Sequence, residues 1–127
     1  MGWTNPTPWN TFREAPEDVL TSKIDAVVSQ IPDMSRAIFN FHAPPYGTGL
    51  DEAPALDKTL RPTHGGAVMK PVGSTAVRDA ILKYQPPLSV HGHIHESRGV
   101  KSSAAGPCPL TPAVPTPTAC CRARSSN

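Results

Sequence analysis

Apolar positions along this chain gather into two helix-like and two strand-like stretches set between turn-forming segments. From Pro16 to Ile31, Leu20, Ile24, Val27, Val28 and Ile31 recur at the spacing of one helix face. Pro16 suits a first helical position, and Glu17 and Asp18 suit the positive end of the helix dipole. The pattern predicts an amphipathic helix ending before Pro32. "RAIFNFH", Arg36 to His42, is apolar, aromatic and too short for a helix, and it reads as a buried strand with His42 at its C-terminal end. A second helix is expected after the capping residue Ser74, with Val77, Ala80, Ile81 and Tyr84 sharing a face and Pro86 and Pro87 stopping it. "LSVHGHIH" then reads as a strand opened by Leu88 and Val90 and broken by Gly92.

The remaining segments lack such patterns. "WTNPTPWNTFREA", Trp3 to Ala15, is turn chemistry in which Pro6 and Pro8 forbid a helix, and it reads as an ordered loop. Ala43 to Val72 is a long connection rich in Pro and Gly, of the length that is often functional. After Lys101 the chain turns to Ala, Pro, Ser and Thr with few aliphatics. It cannot bury enough apolar surface to offset the entropy of ordering, so 102–127 is expected to be a disordered tail beside a 1–101 domain. Helix, strand, loop, helix, strand, with a histidine closing each strand, favours an α/β fold with its chemistry at the carboxyl ends of the strands.

Composition narrows the function without naming it. The 127 residues have room for one domain, and 16 prolines restrict how much of the chain is regular. Twelve basic and ten acidic residues leave a formal charge of +2, with no long run of either sign, so neither nucleic acid nor a membrane surface is implied. No apolar run reaches membrane length and "MGWTNPTPWN" lacks the basic and apolar regions of a signal peptide, so the expected compartment is cytoplasmic. Thr7 lies one place beyond the position that a myristoylation motif starting at Met1-Gly2 requires. Cys108, Cys120 and Cys121 have neither the pairing of a disulfide framework nor the spacing of a zinc site.

Three of the five histidines, His91, His93 and His95, fall within five positions. Neutral imidazole is a common metal ligand, and an H-x-H pair converges on an ion when the residue between turns away, as Ile94 is suited to do. Alone the pair is a weak signal, since two surface histidines give the same pattern. Gly92 before it, a strand feeding it and His42 at the end of another strand strengthen the metal reading.

Together, "NFHAPPY" and the later "GHIH" resemble the last two metal-binding motifs of the calcineurin-like metallophosphoesterases, and "GWTNPTPWNTFRE" and "GSTAVRDAILKYQPPLSVHGHIHESRG" are similar to one bacterial branch of that family. The resemblance spans about four-fifths of the chain. It implies the C-terminal half of a four-layer α-β-β-α sandwich and a centre of two divalent metal ions, Mn, Fe, Zn or Ni, acting on a phosphoester. His42 and His93 would be ligands of one ion and His95 of the other. His91 matches no ligand and reads as strand-end packing or as a donor behind the ligands; Asn40, His64 and Glu96 receive no part, and Pro44 to Tyr46 read as a rigid turn. Protein phosphate, nucleotide, cyclic nucleotide and lipid-linked phosphate are all substrates within the broad family.

The family's D-x-H, G-D and G-N-H-D or G-N-H-E motifs do not occur in this sequence, and Asp51, Asp57 and Asp79 have no matching context. The family's proton-donor histidine belongs to that half, so no catalytic residue is assigned here. The expectation is that Met1 is an internal start within a longer enzyme and that a frameshift follows soon after Val100, because the shifted frame of "LTPAVPTPTACC" can encode an Asn-Pro-Gly-Ser segment of the family. Such a chain should have little turnover and should expose sheet edges and apolar helix faces. The alternatives are a non-catalytic metal-binding or interaction fragment and, further off, an adaptor with a proline-rich tail.

Overall fold

The computed structural model describes residues 1–102 and 109–110. Helix α1 runs Glu17–Val28, with Pro16 just outside it at φ −54° and Leu20, Ile24 and Val28 buried. The helix stops short of Pro32, and turns at Ser29 to Ile31 end it. A residue before proline is pushed out of the helical region, and the chain leaves the helix a little ahead of that point. Asp33 then accepts a hydrogen bond from the Ser35 N–H to open a single turn at Met34–Arg36, so strand β1 is confined to Ile38–Asn40. Phe39 and Phe41 are buried while Ile38 is 63% exposed, which makes β1 a one-faced strand rather than the fully buried one expected.

The connection after β1 is not structureless. Strand β2, Glu52–Pro54, pairs antiparallel with β3, Met69–Pro71, in the register Glu52↔Pro71, Ala53↔Lys70, Pro54↔Met69. Prolines inside both strands and the absence of alternation hid this ribbon from the sequence pattern. Helix α2, Thr75–Tyr84, starts where expected: the Ser74 hydroxyl accepts from the Val77 N–H, and Gln85, left-handed at φ 50°, ends it before Pro86.

Strand β4, Leu88–Val90, lies parallel to β1 with Ile38↔Leu88, Phe39↔Ser89 and Asn40↔Val90 in register. β1, α2 and β4 thus form a parallel crossover unit. Two two-residue strands, β5 at Lys101–Ser102 and β6 at Pro109–Leu110, complete a four-stranded sheet of order β1-β4-β6-β5, β6 parallel to β4 and antiparallel to β5. The rest of the tail expected to be disordered, and the expectation of a frameshift in it, lie outside the described residues. No described helix is long and apolar enough to cross a membrane.

Both helices cover one face of the sheet, where Leu20, Ile24, Val28, Phe39, Phe41, Val77 and Ile81 form the core. Two carboxylates fasten the layers. Glu17, in the first turn of α1, accepts from the Ser74 hydroxyl (2.7 Å) and from the Thr75 and Ala76 N–H groups (3.1 and 3.0 Å), capping α2 from another helix. Asp51, with no exposed surface, accepts from the N–H groups of Gly47 (2.8 Å), Thr48 (3.2 Å) and Gly73 (3.0 Å), holding the loop after β1 against the approach to α2. Position 73 has to be glycine: a Cβ there would stand 2.6 Å from the Pro44 carbonyl oxygen and 2.9 Å from Asp51. The result is a small α/β domain with two helices on one sheet and a second two-stranded sheet beside it.

Candidate functional site

The ladder between β1 and β4 continues past both strands. The Phe41 N–H donates to the Val90 carbonyl at 3.0 Å and the Gly92 N–H to the His42 carbonyl at 3.1 Å, so His42 and the His91–His95 turn are carried side by side at the carboxyl ends of two parallel strands.

His91 closes the strand. It is 1% exposed, its ring is stacked on Phe41 (centroids 6.3 Å apart, planes at 19°), and its two nitrogens contact the Ala43 carbonyl (Nδ1, 3.1 Å) and the Ser89 hydroxyl (Nε2, 2.7 Å). A carbonyl can only accept, so Nδ1 carries the proton and Nε2 accepts from the hydroxyl. Burial pushes its pKa down to about 4, the Ala43 hydrogen bond pulling weakly the other way. His91 is therefore a neutral packing residue that ties Ala43 to β4 and fixes the backbone on which His42 sits.

His93 is presented by a strained turn. Its φ is 75°, and the Ile94 N–H donates back to the Gly92 carbonyl at 3.0 Å. A hydrogen bond spanning two residues about a centre with positive φ is the rarer, strained hand of the γ-turn. Ile94 is buried, as the H-x-H reading expects, and the flanking histidines turn outward.

The His93 Nδ1 and His42 Nε2 nitrogens are 3.1 Å apart, with ring centroids at 4.8 Å. Two imidazole nitrogens held at about 2.0–2.1 Å on one ion, roughly at right angles, lie about 3 Å apart, so the pair has the separation of adjacent ligands on a single metal. Both pKa values are lowered, in each case first by burial, then for His42 by the charges of Arg13, the amino terminus and His95, and for His93 by His42 and His95 against an opposing pull from Glu14. In both, the net shift favours the neutral imidazole, the form that binds metal.

His95 is exposed and makes no hydrogen bond among the described residues, though its charge reaches both other histidines. No group of three or more His, Cys, Asp or Glu gathers into a metal-holding cluster among the described residues. His64 and Glu96 are exposed, and Tyr46 turns toward solvent above a buried Pro44–Pro45 pair.

The histidine pair forms one wall of a cleft of about 310 Å³. The other wall is the amino-terminal loop: Gly2, Thr4, Thr11, Phe12 and Arg13. Sequence reasoning saw that loop as ordered but gave it no part, because its residues carry no recognisable chemical spacing; Arg13 is the charged member of that wall, and it was missed.

No family model matches the chain, and no solved structure matches it. "Uncharacterized protein MJ1162" of Methanocaldococcus jannaschii is 33% identical over 100 residues, covering 77% of this chain and 39% of that protein. The chain thus spans about two-fifths of the length of that relative.

Proposed function

We propose that this chain carries part of the metal centre of a calcineurin-like metallophosphoesterase, with His42 and His93 holding one divalent ion and His95 on hand for a second, in a protein that hydrolyses phosphoesters. The observation that carries the reading is the 3.1 Å approach of His42 Nε2 to His93 Nδ1 at the ends of adjacent parallel strands. The histidine-closed strands come together as that family's motifs require, and the neutral rings suit cation binding. When bound, the ions would polarise the phosphoryl group and supply an activated water. The chain's own contribution is positioning: His91 and Gly92 fix the strand ends, and the turn at His93 aims its ring at His42.

A thinly covered flank fits the wider four-layer sandwich. Among the described residues β1 ends its sheet, with Met1 alone bonded along it at Asn40 and His42; Ile38 and Val27 are 63% and 55% exposed, and an apolar hollow of about 200 Å³ opens between α1 and β1. Such a surface suits burial against further sheet. The described residues by themselves supply two converging ligands and no carboxylate, which favours the alternative for the isolated chain: metal binding without turnover.

Metal titration of the purified chain with manganese, beside His93→Ala, tests the proposal. The expected result is weak binding of one ion, at least tenfold weaker in the variant, and no measurable hydrolysis of a generic phosphodiester. Equal binding by both proteins, or none by either, would remove the metal centre.

A further inference from the structure

The amino-terminal loop is a rigid device with one side chain left uncommitted. The Thr4 N–H donates to the Arg13 carbonyl (3.1 Å) and the Ala15 N–H to the Thr4 carbonyl (3.0 Å), closing the loop at its base. Glu14 fills the inside: its carboxylate accepts from the Thr7 N–H (2.7 Å), the Thr7 hydroxyl and the Thr11 N–H (2.8 Å), hydrogen bonds that lower its pKa to about 2. Asn5 anchors the loop by donating to the carbonyls of Val72 and Gly73, beside the Asp51 hub.

The carboxylate next to Arg13 is thus spent on backbone and threonine donors. The Arg13 guanidinium makes no hydrogen bond and no ion pair among the described residues, although it lines the cleft that His42 and His93 face. It lies beside the Phe12 ring (5.4 Å to the centroid) and over Gly2, where a Cβ would stand 2.8 Å from Arg13 Nη1. A glycine at position 2 leaves the guanidinium its place.

We infer that Arg13 is an anion-binding residue that grips the phosphoryl oxygens of the substrate from the wall opposite His42 and His93. A planar, permanently charged fork matches two phosphoryl oxygens, and a loop already ordered forfeits little entropy in offering it. The cleft volume falls at the small end of the range for small-molecule sites, about 300–1,000 Å³. Phe12, 86% exposed beside the guanidinium, offers an apolar surface to the ester group. The inference rests on the phosphoester reading for the identity of its ligand; the anion site itself stands on Arg13, Gly2 and the loop.

Equilibrium dialysis of inorganic phosphate against the full chain, metal-free and zinc-loaded, at low ionic strength provides the test, with zinc affinity measured in parallel. Arg13→Ala is expected to weaken phosphate binding at least tenfold, Arg13→Lys several-fold and Gly2→Ala two- to threefold by displacing the guanidinium, all with zinc affinity unchanged. Phosphate binding by Arg13→Ala within twofold of the parent, no phosphate binding by the parent in either form, or zinc lost together with phosphate would each overturn the assignment. Loss of zinc in His42→Ala or His93→Ala concerns the metal reading alone, so the two fail separately.

Discussion

Asp51 and His42 belong to the same stretch of chain after β1, and they are built on opposite plans. Asp51 is sealed from solvent with three backbone N–H groups pointed at its carboxylate. Glu17, Glu14 and Asp57 follow it, each accepting from backbone amides and neighbouring hydroxyls. Around the cleft the bookkeeping is reversed: His42 and His93 have only each other, His93 sits on a strained backbone, and Arg13, against the Phe12 ring, has no hydrogen-bond or ion-pair partner among the described residues. The contrast teaches where this chain invests its charge. These carboxylates are consumed in holding loops and helix ends, and no carboxylate joins His42 and His93 in a metal-holding group among the described residues.

Removing Asp51 is the strongest way to break the comparison. Three N–H groups, that of Gly73 buried and those of Gly47 and Thr48 partly so, would lose their acceptor together, and a buried orphaned donor costs about 1–3 kcal/mol. Asp51→Ala is expected to destabilise the domain by about 3–5 kcal/mol in urea denaturation, counting partial rehydration of the loop. A loss below about 1 kcal/mol would show that the loop between Pro44 and Gly73 does not depend on this hub.

His91 sharpens it from the other side, as the one histidine of the strand-end cluster that is spent on structure. Its pKa is about 4 in the fold and 6.5 in an unfolded chain. The unfolded state therefore takes up the proton first as pH falls. The stabilisation is complete above about pH 6.5 and is lost progressively toward pH 4, on the order of 3 kcal/mol in all. Between pH 6.5 and 5 the metal-free chain should lose stability steeply, and His91→Gln, less stable throughout, should show a shallower slope. Parallel slopes would mean that the buried ring does not carry the pH dependence.

These residues mark how far the sequence could be read. The helix faces, the Ser74 cap and the two histidine-closed strands were legible because each rests on local periodicity or on one side chain's preference. The pairing of β2 with β3 was not, since Pro54 and Pro71 argue against strands and the register depends on Asp51 and Gly73 bringing distant segments together. Glu17 was legible as a dipole residue of its own helix but not as the cap of another. At the site, His42 and the H-x-H pair stood out by type and spacing. Arg13 did not, because nothing local shows that Glu14 turns away from it to bind Thr7 and Thr11.

The smallest effect separates strain from ligation at a single residue. His93→Ala and His93→Gly both remove the imidazole, so both should lose metal affinity equally. They differ at the backbone, where alanine keeps the penalty of a Cβ at φ 75° and glycine does not. Glycine's greater freedom in the unfolded chain offsets part of that relief. His93→Gly is therefore expected to be more stable than His93→Ala by about 0.5–1 kcal/mol in thermal denaturation. That difference is the strain the turn holds in order to point a ring at His42, and its absence would make the positive φ a passive consequence of Gly92 rather than a feature of the site.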